Sequence, residues 1–93
     1  MKELAELAQR AVLNGDIPAK DIADMVGKKY STLMRELNPY DEGAKLSPET
    51  LVELMRITKD ITPLKVMAES LGYKVIPASA QEPSDIDENY VSI

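Results

Sequence analysis

The chain contains no cysteine and no histidine. Without cysteine there is no disulfide framework and no thiol nucleophile; without histidine the commonest general base and the commonest neutral metal ligand are missing. No glycine-rich phosphate loop or ligand-spaced carboxylate cluster stands in for them, so the expectation is a protein that is not an enzyme and takes no cofactor, no metal and no small-molecule substrate. Phe and Trp are also absent, and the aromatic residues are four tyrosines. No β-branched run exceeds two residues, which favours helix over strand. Apolar runs are short, and the N-terminus alternates charges where a signal peptide would have a basic and then an apolar region. No membrane partner is therefore expected, and the cytoplasm is the expected location.

What remains is rich in Leu, Met, Ala and Glu. Its 93 residues suffice for one domain that buries roughly 60–65% of the unfolded chain's surface. The formal charge of −5 runs against a nucleic-acid partner, whose phosphates demand Lys and Arg. Its distribution softens that objection. Residues 1–74 hold 11 basic and 12 acidic groups, a net of −1, whereas everything after them holds Glu82, Asp85, Asp87 and Glu88 and no basic residue.

Apolar spacing divides the chain into five short helices. Leu4, Leu7, Ala8, Ala11 and Val12 recur at helical intervals in the first, which Asn14-Gly15 should end in a pair tolerant of positive φ. Asp16 and Pro18 then offer an N-cap oxygen and a first-turn proline to a second helix over 18–26, buried through Ile22, Ala23 and Val26. Gly27 stops it. Tyr30, Leu33, Met34 and Leu37 open a third stripe over 30–38, which Asn38-Pro39 ends. A charged loop follows, and Ser47-Pro48-Glu49-Thr50 starts a fourth helix that turns Leu51, Leu54 and Met55 inward and ends near Lys59-Asp60. Thr62-Pro63 starts a fifth in the same way, with Leu64, Met67, Ala68 and Leu71 as its stripe and Gly72 as its stop. The expected fold is all-α, a five-helix domain over 1–73 followed by a flexible acidic tail over 74–93. Val52 and Val66, and with them Ile57 and Ile61, lie off these stripes. They read equally well as a subunit contact or as filling of an irregular core.

The segment from Asp21 to Asn38 has the parts of a helix-turn-helix. Ala23 is small enough for a close helix crossing, Gly27 turns the chain, and Ile22, Val26, Leu33 and Leu37 wedge one helix on the other. The common pattern has an apolar residue at the position of Glu36, one before Leu37, so the third helix should be rolled slightly. Burying the apolar stripe leaves Lys28, Lys29, Ser31, Thr32, Arg35 and Asn38 outward, a donor-rich set suited to phosphates and base edges. Each has a plainer role: a solvated lysine pair, a surface ion pair for Arg35, first-turn residues at Ser31 and Thr32. Tyr30 reads as a core wedge, and Tyr40 as packed on the fourth helix.

The stretch DIADMVGKKYSTLMRELNPYDEGAKLSPETLVELMRITKD resembles the temperate-phage and prophage CII-type regulatory proteins. The likeness covers about residues 18–72 and is most specific in YSTL, LNPY, the charged loop with Gly43 and Lys45-Leu46, and the helix start from Ser47. It implies a λ-repressor-like fold and a transcription regulator of the lysogeny decision that binds operator DNA as an oligomer, with the helix over 30–38 in the recognition role. Double-stranded DNA and further copies of the chain are thus the expected partners. The alternative is a protein-interaction module on the same fold that does not bind DNA, its acidic tail anchoring a partner through Ile86, Tyr90, Val91 and Ile93.

Overall fold

The computed structural model describes residues 2–80. Five helices, α1 (Lys2–Asn14), α2 (Ala19–Met25), α3 (Tyr30–Glu36), α4 (Pro48–Thr58) and α5 (Thr62–Ser70), precede a single 3-10 turn at Ala78–Ala80. Among the described residues there is no strand. This is the all-α domain expected of a helix-turn-helix protein. The N-terminal helix is the centre of the assembly: α1 packs on α4, α5 and α2, while α2 packs on α3.

The core follows from the stripes. Ala8 and Val12 of α1, Ile22 and Ala23 of α2, Leu33 and Leu37 of the α3 segment, and Leu51 and Leu54 of α4 form one buried cluster. Each large member contributes about 1.5–3 kcal/mol by leaving water. Val26, Met34, Met55, Ile57 and Met67 pack around it, half-buried. Ile57 thereby packs against the core. Pro63, read from sequence only as a helix starter, is fully buried as well.

The helix ends are set by local chemistry. At the end of α2, Lys28 N donates to Ala23 O at 2.9 Å and Gly27 N to Asp24 O at 3.1 Å, with Gly27 at φ +72. This paired closure needs a left-handed residue in its middle, a conformation that glycine adopts without a Cβ penalty. The same closure ends α5, where Tyr73 N reaches Ala68 O around Gly72. At the start of α4 the Ser47 hydroxyl accepts from Thr50 N at 3.2 Å and donates to Thr50 Oγ1 at 3.0 Å, and Pro48 takes the first turn.

Several boundaries and burial expectations are corrected. Gly15 does not adopt positive φ, and Asp16 does not cap α2, whose N-cap is Pro18 without a side-chain bond. Thr62 is helical, and the carboxylate of Asp60 takes over capping, accepting from Thr62 N at 3.0 Å and from the Thr62 hydroxyl at 2.6 Å. That contact holds the Asp60 carboxyl below its ordinary pKa, the hydroxyl bond first and the amide bond second. Tyr30 is exposed rather than wedged in the core, as are Tyr40 and Leu71. Tyr30 and Leu71 sit at the extreme ends of short helices, where a stripe has already run past the neighbouring helix. The expected anchors at Ile86, Tyr90, Val91 and Ile93 lie outside the described residues.

Candidate nucleic-acid interface

The two helices of the hairpin, α2 and α3, are seven residues each, and four residues, Val26 to Lys29, join them. With Ile22, Ala23, Leu33 and Leu37 all buried, the outward side of α3 is determined. Ser31, Thr32 and Arg35 stand on it in the open, with Lys29 at the N-cap just before them. Lys29 has no ion-pair partner among the described residues.

Other members of the expected set are engaged inside the molecule. Lys28 is half-buried and its Nζ lies 3.0 Å from Glu36 Oε2, so it spans from the turn to the last residue of α3 instead of facing solvent with Lys29. Glu36 is only 13% exposed at its side chain, and its Oε1 is buried without a hydrogen-bond partner among the described residues. The roll of α3 explains this: Leu37 fills the core where the common pattern would use the preceding position, and Glu36, rotated to the edge, takes Lys28 as its countercharge. A buried carboxylate oxygen without a partner is unfavourable, and the ammonium 3.0 Å from its companion oxygen offsets part of that.

Asn38 lies past the end of α3, exposed, and its Oδ1 accepts from Tyr40 N at 3.0 Å. It therefore shapes the following turn. Arg35 is 61% exposed and its Nε donates to Asp41 Oδ2 at 2.9 Å. This pairing raises the guanidinium pKa and lowers that of Asp41, mainly through the hydrogen bond between them. Lys20 brings its ammonium to 5.9 Å from the Tyr30 ring and so adds a cation near the start of α3.

Sequence spacing thus brings together Lys29, Ser31, Thr32 and Arg35 and does not bring Lys28 or Asn38 to the same face in a free state. The residues missed are the carboxylates Glu36 and Asp41. For Asp41 a signal existed: Asp-Glu-Gly after Asn-Pro-Tyr is a turn sequence, and a turn at that point returns a carboxylate toward the last turn of α3. Off this face, Val52 on α4 is 48% exposed and Val66 on α5 is half-buried. No helix among the described residues is long and apolar enough to cross a membrane.

A short two-helix hairpin closed by a left-handed glycine, carried on a three-helix support, defines a small all-α domain consistent with a helix-turn-helix. The family model of phage regulatory protein CII (CP76) matches residues 2–92, and the chain belongs to that family. The match extends beyond the segment 18–72 that carries recognisable motifs and takes in α1 and nearly all of the acidic C-terminal region. No curated protein and no solved structure matched the chain.

Proposed function

We propose that this phage regulator is a sequence-specific DNA-binding protein that lays the outward side of α3 in the major groove while α2 crosses the backbone. The observation that carries the reading is the exposed, donor-bearing row Lys29, Ser31, Thr32 and Arg35, directly opposite the fully buried Leu33 and Leu37. Burial on one side fixes the orientation of the other. In this reading Arg35 reads a base edge, Lys29 and the two hydroxyls hold phosphate or base edges, and Lys28 and Asn38 keep the turn and the following loop in shape. One helix of this length contacts few bases, so two copies acting together fit the task better. Exposed Val52, with Ile61, Leu71 and Tyr73, offers apolar surface on the α4–α5 side for such a homo-oligomer.

The test is selection of bound sites from randomised duplex DNA by the full chain, followed by salt titration of two variants. Arg35→Ala should weaken the selected site roughly 5- to 150-fold and relax one base preference. Lys29→Ala should weaken all duplexes alike and flatten the logarithmic salt slope by about one contact. If both variants bind the selected site as the parent does, this face is not the interface. The pairing of Lys28 and Arg35 with carboxylates favours a second reading, an interaction module that has lost DNA. Absence of salt-sensitive DNA binding at low ionic strength would favour it.

A further inference from the structure

The loop after α3 holds the guanidinium of Arg35 in one defined way. A guanidinium has five N–H groups. Asp41 occupies the edge made by Nε, which donates to Oδ2 at 2.9 Å, and Nη2, which lies 3.5 Å from Oδ1. Both hydrogens of Nη1 and one of Nη2 remain, and one from each nitrogen makes the end-on fork that matches O6 and N7 of guanine.

Asp41 is itself held in place. Its Oδ1 accepts from Gly43 N at 3.0 Å, and its own amide donates to Asn38 O at 3.1 Å. Asn38 Oδ1 in turn takes Tyr40 N at 3.0 Å, so the chain from 38 to 43 is tied at successive points. Gly43 completes the seat, since a Cβ there would come within 3.2 Å of Arg35 Nη2 and 3.4 Å of Asp41 Oδ1. Any larger residue would press on the guanidinium. The carboxylate is the more enclosed partner at 24% side-chain exposure against 61% for Arg35, as suits a support rather than a contact.

We propose that Asp41 is a positioning residue that orients Arg35 to read one guanine in each bound half-site, with Gly43 keeping the space for that orientation. The proposal rests on the DNA-binding reading above. An arginine fixed before binding loses less rotamer freedom when it meets a base. The adjacent carboxylate also cancels most of its attraction for phosphate, so the pair adds discrimination more than general affinity.

Sites are selected from a randomised duplex library with the parent, Arg35→Ala, Asp41→Ala, Asp41→Asn, Gly43→Ala and the double variant Arg35→Ala/Asp41→Ala, each checked for parental helix content. The guanine that depends on Arg35 should lose about tenfold or more of its preference in Asp41→Ala, with the other positions of the motif unchanged. Gly43→Ala should act in the same direction. Asp41→Asn, which keeps one acceptor oxygen, should fall between. In the Arg35→Ala background, Asp41→Ala should remove no further base preference, the non-additivity expected of two residues acting as one. The proposal is overturned, with DNA binding intact, if Asp41→Ala selects the parental motif, including the case in which it binds all duplexes more tightly because a negative charge is gone. If the parent enriches no motif, the DNA reading fails and the proposal falls with it.

Discussion

Gly27→Ala isolates the backbone requirement of the turn from every other effect. Gly27 sits at φ +72, and a Cβ there would meet no atom of the described residues within 4 Å. The change therefore introduces no clash, only the penalty of a left-handed alanine, about 1–2 kcal/mol. Restricting the unfolded chain returns about 0.4–1 kcal/mol. The expected net destabilisation is about 1 kcal/mol, which for a urea slope near 1 kcal/mol/M moves the unfolding midpoint down by about 1 M at unchanged slope. Lys59, the one non-glycine residue with positive φ among the described residues, is at φ 65, and Lys59→Gly should shift the midpoint by a similar amount in the opposite direction. Midpoints for both variants, from helical circular dichroism in urea, make the comparison. A Gly27→Ala protein as stable as its parent would show that residue 27 is not left-handed, and the geometry of the hairpin derived from it would be wrong.

Three further outcomes follow from the packing and the caps. Leu33→Ala removes a side chain with no exposure and should cost about 2–5 kcal/mol, enough to leave much of the chain unfolded at 37 °C by thermal circular dichroism. Ser47→Ala deprives Thr50 N of its acceptor and should cost about 1 kcal/mol, a fall of roughly 4–8 °C in the melting midpoint. The Asp60 and Asp41 carboxyls are both held below the ordinary 3.8, so their contribution is complete above that value and is lost as pH falls through the lower folded values. Asp60→Asn should make the acid-side loss of stability shallower, measured as urea midpoints from about pH 5 downward; an unchanged profile would remove Asp60 from the account.

How much of this was legible in the sequence depended on the kind of interaction. Burial of Ile22, Ala23, Leu33 and Leu37 was readable because helical period states which side of a segment faces inward. The Gly27 closure and the Ser47-Pro48 start were readable because each depends on the chemistry of adjacent residues. Contacts between side chains on separate elements were not: the eight-residue reach from Lys28 to Glu36 and the return of Asp41 to Arg35 depend on how α3 is rolled and where the loop after it turns. Glu36 shows the limit clearly. The displaced apolar position indicated a roll of α3, but the lysine that this roll would recruit could be any of several nearby. Asp60 was missed for a smaller reason, since Thr62-Pro63 has the form of a cap and drew attention from the aspartate two residues earlier.

If the proposed function holds, the outward side of the α2–α3 hairpin meets DNA. Backbone amide shifts of the full chain, recorded by NMR while a selected duplex is added, address it most directly. The largest changes should fall on Lys29, Ser31, Thr32 and Arg35 and on the loop through Gly43, with Ala8 and Leu54 in the core little affected. Changes concentrated on α4 and α5, or none at stoichiometric duplex, would contradict it.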